Sequence, residues 1–312
     1  MNLQDLFVKP STREFIKEAR ATKDFSLFDF LHGYIYGRWT HLYIAIGTGR
    51  HPLAKKLAPL AAWVEARSTR KTEHTNDLAS TGMAETYHGK AILRDQAKKL
   101  LLVNENINLP DLEQVIPYKR AHAIIMKNPD HIAVLECPCR SAKPNPCLPL
   151  DVCLVVGEPF ASFVVEHNPT KTRWITPGEA VAIIDAEDSR GHVHHAFFKD
   201  AMLGRFYAIC NCCSCCCGAI QAHQNGTPML ASSGYIARVD EDSCTACSIC
   251  AEHCQFGALS LGDLCMHIDE TKCMGCGVCV DKCPQEAISL RRDESKSEPL
   301  EIFALMDRAA AQ

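Results

Sequence analysis

The sequence lacks the marks of several common protein classes. It has no run of about 20 uninterrupted apolar residues, which a membrane-spanning helix requires. It contains neither G-x-x-x-x-G-K-S/T nor G-x-G-x-x-G, the loops that hold nucleotide phosphates, and no C-x3-C-x2-C run typical of radical chemistry. Without a nucleotide or flavin motif, the protein is not expected to carry out hydride chemistry by itself.

A strong positive charge and an export signal are also absent. The chain has 33 Lys and Arg against 37 Asp and Glu, a formal net charge of −4, so nucleic acid is not an expected partner. The opening residues "MNLQDLFVKPSTREFIKEAR" have no basic start, apolar core or small-residue cleavage site. We therefore expect a cytoplasmic protein.

Cysteine, in contrast, is abundant, with 19 residues among 312. A chain of this length can build a hydrophobic core without disulfide bonds. In a reducing cytoplasm, dense cysteines indicate metal binding instead. The composition therefore predicts a metalloprotein, from an organism that lives anaerobically.

The C-terminal third contains an internal repeat. Residues 239–261 align without gaps on residues 268–290, an offset of 29, and each copy reads C-x2-C-x2-C-x3-C. Three thiolates from such a loop fit one face of an iron–sulfur cubane, and in the bacterial two-cluster pattern the fourth binds the other cluster. Two zinc sites are the alternative, which this spacing disfavours. The predicted ligands are Cys244, Cys247, Cys250 and Cys283 for cluster 1, and Cys273, Cys276, Cys279 and Cys254 for cluster 2.

Over about 55 residues this repeat resembles a bacterial two-[4Fe-4S] ferredoxin. The resemblance implies a pseudo-twofold α+β fold, strands at "YIARVD" and "LCMHID", and one helical turn after each cysteine loop. One residue departs from the pattern, because Pro284 follows Cys283 but Gln255 follows Cys254. Since the thiol is retained, we expect the local turn to differ and the ligation to be kept.

Two further segments are dense in cysteine. A cubane takes four ligands, so the six cysteines of "ICNCCSCCCGAI" cannot all bind one cluster. We expect the two segments to share at least one further iron–sulfur cluster, with zinc or a redox dithiol as alternatives, and Arg140 to hydrogen-bond a cluster sulfur. Cys265 is expected to be a buried structural thiol. The candidate ligands are Cys137, Cys139, Cys147, Cys153, Cys210, Cys212, Cys213, Cys215, Cys216 and Cys217.

The residues around these cysteines predict mixed α/β structure. "HIAVLEC" predicts a buried strand, and "HVHHAFFKD" and "RFYAICN" predict two strands that lead into the cysteine run. Thr176 followed by Pro177 and Glu179 predicts the start of a capped helix. The segments "HIAVLECPCR", "GHVHHAFF" and "CNCCSCCCG" together resemble a group of ferredoxin-like proteins of anaerobic bacteria, a resemblance that implies no particular reaction.

Residues 25–49 are rich in aromatic side chains. A helically spaced stripe predicts one amphipathic helix. We expect it to face the protein core or a partner protein, with a peripheral membrane contact as the alternative. The stripe consists of Phe28, Leu31, Ile35, Trp39 and Leu42.

These patterns predict an α+β protein with four parts. They are a mainly helical docking region at 1–130, a cysteine-rich mixed α/β domain at 131–228, a two-[4Fe-4S] ferredoxin domain at 229–292 and a tail at 293–312. The predicted function is the relay of single low-potential electrons between a donor and a partner redox enzyme, without catalysis of its own. A reductase, or a redox or metal sensor, acting through the middle cysteines is the alternative.

Overall fold

An eight-stranded sheet forms the centre of the computed structural model, which describes residues 8–22, 26–56, 59, 87–110, 112, 114–116 and 123–311. Its strands are β1 (Tyr87–Ile92), β2 (Ile107–Leu109), β3 (Ile124–Glu136), β4 (Asp151–Glu158), β5 (Thr172–Ile175), β6 (Val193–Lys199), β7 (Arg205–Cys212) and β8 (Leu230–Ala231). The order is β2-β3-β4-β7-β6-β1-β8, and β5 pairs with β3. All pairs are antiparallel except β1 with β8.

Helices cover both faces of this sheet. Neighbouring residues alternate between the two apolar layers, so that Phe197 packs with one layer and Phe198 with the other. The first layer includes α1, α2 and α6, and the second includes α4, α7 and α11. The helices are α1 (Pro10–Ala21), α2 (Leu27–Arg38), α3 (Thr40–Gly47), α4 (Arg94–Leu102), α5 (Pro138–Ser141), α6 (Phe160–His167), α7 (Pro177–Ser189), α8 (Gly218–Gln224), α9 (Ile249–Glu252), α10 (Val278–Asp281) and α11 (Ile302–Ala310).

The protein thus combines helices and strands, as predicted. The predicted boundaries between its parts, however, do not coincide with the observed elements. The expected boundary at residue 130 falls inside β3, and β1 pairs with β6 of the cysteine-rich region. The expected boundary at residue 130 therefore does not separate two units of the described structure. Residues 293–311 are not a separate tail either, because Ile302 and Leu305 of α11 lie in the core beside the sheet.

The helix predicted from Thr176 is confirmed as α7. The Thr176 hydroxyl accepts a hydrogen bond from the Glu179 backbone N–H at 3.2 Å, which satisfies one of the free donors at the start of the helix. The Glu179 carboxylate does not close a capping box, since it pairs with Arg173 at 2.6 Å. This helix lies against β3, β4 and β6 and so supports the strands that lead into the cysteine segments.

The C-terminal repeat has the elements that the resemblance implied. Strand β9 (Tyr235–Val239) pairs with β12 (Ile288–Arg292), and β10 (Leu259–Leu261) pairs with β11 (Met266–Ile268), both antiparallel. One short helix follows each cysteine loop, α9 in the first copy and α10 in the second. Cys265, expected to be buried, is half-exposed beside Leu264, because it lies at the edge of the short β10–β11 hairpin.

The apolar stripe of residues 25–49 faces outward, which corrects the expectation of a core-facing helix. The segment forms two helices, α2 and α3, with a break at Trp39. No helix in the part of the chain that the structure describes has the length and apolar character needed to cross a membrane. The five stripe residues are between 41% and 68% exposed, and those on the opposite face of α2 that are buried are Phe30, Gly33, Tyr36 and Gly37.

Two glycines bring α2 close to the rest of the protein. A Cβ at Gly33 would lie 1.9 Å from the Ala201 carbonyl oxygen, and one at Gly37 would lie 2.7 Å from the Phe163 ring. Real Cβ atoms do not approach backbone atoms this closely. The G-x-x-x-G pair therefore allows α2 to pack on its own chain, and this packing turns the apolar stripe toward solvent.

Replacing Gly33 by alanine is expected to lower the free energy of unfolding by about 1–3 kcal/mol, because the added methyl group overpacks the contact with Ala201. Thermal or urea unfolding of the full chain measures the change. The matched control is Gly47→Ala in α3, where a Cβ meets nothing within 4 Å. That variant should be unchanged or more stable by up to about 1 kcal/mol. Equal effects of the two substitutions would contradict this account of α2.

Candidate metal centres

The ten cysteines of the two middle segments gather at one end of the sheet, where β3, β4 and β7 lie side by side. Cys153 pairs in register with Leu135, and Ile209 pairs with Leu154, so the cysteines at the strand ends become neighbours. Within this gathering the thiols divide into an inner and an outer group. By sulfur–sulfur contact, the inner group consists of Cys137, Cys139, Cys153, Cys210, Cys212 and Cys217, and the outer group of Cys147, Cys213, Cys215 and Cys216. Two members of the outer group, Cys213 and Cys216, also line the cavity that the inner group surrounds.

The inner thiols form a connected series around a cavity. Cys139 contacts both Cys137 and Cys217, Cys153 contacts Cys137 and Cys210, and the Cys217 and Cys212 sulfurs are 3.3 Å apart. The cavity has a volume of about 60 Å³, several times the ~10–15 Å³ that a single water molecule needs. It is therefore larger than a lone metal ion requires.

Electrostatics in the inner group favours few thiolates at a time. Hydrogen bonds from Cys139 and Cys153 lower the pKa of Cys137, which also accepts a hydrogen bond from the Arg140 backbone N–H. The contact with Cys137, together with burial, raises the pKa of both Cys139 and Cys153. Without a metal, Cys137 is therefore the thiol of these three that ionises most readily.

Arg140 lines this cavity, and its hydrogen bond to a cluster sulfur stays a prediction. Its guanidinium donates to the Pro149 carbonyl oxygen at 2.6 Å and is paired with Glu187, and in the described part of the chain it makes no hydrogen bond to a sulfur. The Nε atom is buried without a hydrogen-bond partner among these residues. A buried donor without a partner costs free energy, so Arg140 Nε is available to an anionic group in the cavity.

A layer of polar residues lies beneath the cavity, and the sequence analysis did not identify it. Glu187 binds both Arg140 and His192, whose Nδ1 lies 2.6 Å from the carboxylate. His194 Nδ1 lies 2.6 Å from the Asn211 side-chain oxygen. These histidines are thus engaged in hydrogen bonds with side chains other than cysteine. The hydrogen-bonded arginine and carboxylate hold the cysteine-bearing strands and α7 in fixed relation.

The outer thiols are closer together than the inner ones. The sulfurs of all four, Cys147, Cys213, Cys215 and Cys216, lie within 4.8 Å of one another. Cys215 is exposed and Cys147 is half-exposed, whereas the other two are buried. Partial burial raises the pKa of Cys147 to about 11 and that of Cys215 to about 11.

The structure brings the predicted cluster 1 ligands to one place. A small cavity is lined by Cys244, Cys247, Cys250 and Cys283, so Cys283 of the second copy lies beside the three cysteines of the first. The Ala287 backbone N–H donates to the Cys283 sulfur at 3.3 Å. Hydrogen bonds to sulfur stabilise thiolate ligands and tune the potential of a bound cluster.

The predicted cluster 2 ligands also lie together. Burial, together with the adjacent Cys254 and Cys273, raises the pKa of Cys276 to about 12. Burial and the neighbouring Cys276, Cys273 and Cys254 also raise the pKa of Cys279. The Ala258 backbone N–H donates to the Cys254 sulfur at 3.3 Å, which repeats the contact seen at Cys283. Four soft thiol donors in a water-poor pocket are a donor set that suits an iron–sulfur cubane.

The loop that carries Cys254 docks on the outer cysteine segment through Gln255. The Gln255 side-chain oxygen accepts from the Ser214 backbone N–H at 2.7 Å, and its amide nitrogen donates to the Gly191 carbonyl oxygen at 2.8 Å. The Gln224 side chain donates to the Gln255 carbonyl oxygen at 3.1 Å. The residue that departs from the ferredoxin pattern therefore joins the repeat to the middle cysteines.

Comparison with known protein families identifies the type of the repeat. The family model described as "4Fe-4S binding domain" matches twice, at residues 237–260 and 266–289. A search of curated proteins finds no match to the chain. The two tandem motifs establish a C-terminal iron–sulfur binding region, with the electron-transfer chemistry that such domains support.

Proposed function

We propose that this protein relays single low-potential electrons between a donor and a partner redox enzyme. Residues 229–292 would hold two [4Fe-4S] clusters, and the inner cysteine group would hold a further iron–sulfur cluster. When bound, such clusters take up and give back one electron at a time. The protein is proposed to reside in the cytoplasm of an anaerobic organism and to interact with redox proteins, not with nucleic acid.

The observation that carries this proposal is the contact between the cluster 2 loop and the inner cysteines. Phe256 and Met274, next to cluster 2 ligands, pack in the same buried apolar layer as Cys212 and Cys217. Cys254 and Cys276 border that layer. Packed side chains without intervening water keep the two sites close and hold their separation constant, which efficient electron exchange requires.

The residues around the inner cavity suit an anionic cluster. Four of its six thiols are enough for a cubane, and the others remain as neighbours. The Arg140 backbone N–H hydrogen-bonds Cys137, and its side-chain Nε is free to bind a further acceptor. Burial of Cys153, Cys212 and Cys217 excludes water. Together these residues would hold the cluster, offset its negative charge and protect it from solvent.

The outward stripe of α2 and α3 is the proposed docking surface for the redox partner. Its five apolar residues are exposed and contiguous along two helices, which is unusual for a surface without a binding role. Contact of the same stripe with a membrane surface is the alternative proposal.

A reductase acting at the inner cavity is a second candidate, because two hydrogen-bonded hydroxyl groups lie at its wall and a buried lysine lies behind them. The Tyr36 and Tyr207 hydroxyls are 2.9 Å apart, and both residues line the cavity. The Lys199 ammonium is 3.7 Å from the centre of the Tyr36 ring, and burial lowers the pKa of Lys199 to about 7. Reoxidation of the reduced protein by a small substrate, lost in Tyr207→Phe, would favour this candidate over a simple relay.

The iron and acid-labile sulfide content of the full chain, purified anaerobically, tests the third cluster. We expect about 12 atoms of each per chain, four for each cubane. A triple variant with alanine at Cys137, Cys139 and Cys153 leaves three inner thiols, fewer than the four that a cubane takes. Cys213 and Cys216 also line the cavity, but their sulfurs are held in the compact outer group. The content of this variant should fall to about 8 of each.

The matched control for this experiment is Cys265→Ala, which removes a half-exposed thiol outside all of the cysteine groups. It should retain the wild-type iron and sulfide. A wild-type content of about 8, unchanged in the triple variant, would overturn the third cluster while leaving the two C-terminal clusters in place.

Substitution of Gln255 tests the docking of the cluster 2 loop. Gln255→Ala removes the acceptor for the Ser214 N–H, so hydrogen exchange at Ser214 should accelerate by roughly tenfold, about 1.4 kcal/mol. The magnetic interaction between reduced clusters should also weaken. Hydrogen-exchange mass spectrometry and electron paramagnetic resonance measure the two effects.

Gln285→Ala is the corresponding control, since Gln285 is an exposed glutamine in the other cysteine loop. It should leave both the exchange at Ser214 and the magnetic interaction unchanged. If the two glutamine variants behave alike, Gln255 does not fix the relation between the repeat and the middle cysteines.

A further inference from the structure

The four outer cysteines are spaced as ligands of a single metal ion. The Cys215 sulfur lies 3.0 Å from that of Cys147, 3.3 Å from that of Cys213 and 3.8 Å from that of Cys216. Cys213 and Cys147 are 3.8 Å apart. Four sulfurs bound tetrahedrally at about 2.3 Å from one ion are separated by about 3.8 Å. Small movements of the thiols would therefore complete a tetrahedron.

The cysteines of the repeat provide an internal comparison. In the part of the chain that the structure describes, no other set of three or more thiols has all its sulfurs within 4.8 Å. Both quartets of the 4Fe-4S binding motifs are thus more open than the outer group. A cubane places four irons and four sulfides between its ligands, whereas a single ion draws them together. The outer group is too compact for a cubane.

We infer that Cys147, Cys213, Cys215 and Cys216 form a second, separate metal site that binds one divalent ion in a tetrahedral tetrathiolate shell, with Zn²⁺ as the expected occupant. A closed shell of four thiolates without an open position is the pattern of a structural zinc site. This inference does not depend on a cluster in the inner cavity. The exposed Cys215 leaves a path by which an ion enters.

The backbone around the outer thiols is arranged to stabilise thiolates. The N–H of Cys147 hydrogen-bonds the Cys216 sulfur, and the N–H of Cys216 hydrogen-bonds the Cys213 sulfur. Four thiolates around a divalent ion carry two net negative charges, which such donors offset. On binding, the ion replaces the thiol protons, which are released to solvent.

A second layer of residues holds the outer loop in position. The Gln221 amide donates to the carbonyl oxygens of Ser214 and Cys215 at 3.0 and 3.1 Å. Arg50 in turn donates to the Gln221 side-chain oxygen at 2.7 Å and to the Cys139 carbonyl oxygen at 2.9 Å. Such outer contacts orient metal ligands. They also connect the outer loop to the inner cysteine segment.

The proposed ion would fix the surface on which the repeat docks. Ser214, which donates to Gln255, lies between Cys213 and Cys215, two of the four ligands. The ion would also tie this loop to Cys147, 66 residues away in the sequence. Its role is therefore structural, because it holds the Ser214 N–H in the orientation that Gln255 requires.

Element analysis of the full chain tests the site. Zinc, iron and sulfide are measured on the wild type, on Cys215→Ala and on Cys147→Ala. We expect about one zinc per chain in the wild type and at least about a tenfold loss in each variant, with iron and sulfide unchanged. If each variant instead loses one iron per chain and no sulfide, the single-ion site is also supported, and its occupant is iron. Cys265→Ala should change none of the three elements.

Two results would overturn the proposal. The first is joint loss of about four irons and four sulfides in Cys215→Ala, which would make the outer group a cluster site. The second is no loss of any metal. Because Cys215 is exposed, its substitution is expected to leave the fold intact, and circular dichroism checks this. Growth with Co²⁺ provides an independent readout, since the intense thiolate-to-cobalt absorption of a tetrahedral site should appear in the wild type and vanish in Cys215→Ala.

Discussion

The mutual repulsion of neighbouring thiolates is the constraint on which the middle of this protein depends. Two thiolates about 4 Å apart at a partly buried site repel by roughly 4 kcal/mol. Ten cysteines at one end of the sheet cannot ionise together unless cations compensate them. The fold arranges these thiols in two ways: the inner six surround a cavity, and the outer four form a compact group that extends from the cavity wall to the exposed Cys215. Both are arrangements in which metal binding removes the repulsion.

The local backbone explains how one short segment serves both groups. Cys210 and Cys212 lie two residues apart on strand β7, so their side chains point to the same face and reach the inner cavity. The chain then turns, with the Cys217 N–H donating to the Cys213 carbonyl oxygen, and the turn brings Cys213, Cys215 and Cys216 together beside Cys147. Cys217 precedes α8 and returns to the inner group. Six adjacent cysteines are thus needed because strand, turn and helix start face different sites.

Much of the structure could be predicted from local pattern. The gap-free repeat predicted the iron–sulfur binding region, and Thr176 with Pro177 predicted the start of α7. These features depend on residues close in sequence, where spacing and capping are decisive. The pairing of β1 with β6 joins residues about 100 positions apart, and no local signal marks it. The division of the ten cysteines likewise depends on the turn after β7, which spacing alone does not reveal.

The face of α2 shows a different limit of sequence analysis. Periodicity identifies two faces of a helix, and we expected the more apolar one to face either the core or a partner protein. The buried face instead carries Gly33 and Gly37, because close approach to Ala201 and Phe163 requires the absence of side chains. Small residues contribute little to an apolar pattern, so the packed face was the less conspicuous one. The same reasoning applies wherever a helix packs through glycine.

The asymmetry between the two copies of the repeat gives the proposed relay a direction. The first copy has Gln255 where the second has Pro284, and Gln255 is engaged with the middle region whereas Pro284 is exposed. The proposed cluster 2, whose predicted ligands include Cys254, would therefore adjoin the middle cysteines. Cys247, a predicted ligand of cluster 1, is exposed, so the proposed cluster 1 would be the nearer of the two to solvent. In the proposed relay, electrons pass between an external protein at cluster 1 and the inner cysteines by way of cluster 2. A proline at position 255 would restore the pattern of a free ferredoxin. It would also remove the side-chain amide that joins the repeat to the middle cysteine segment.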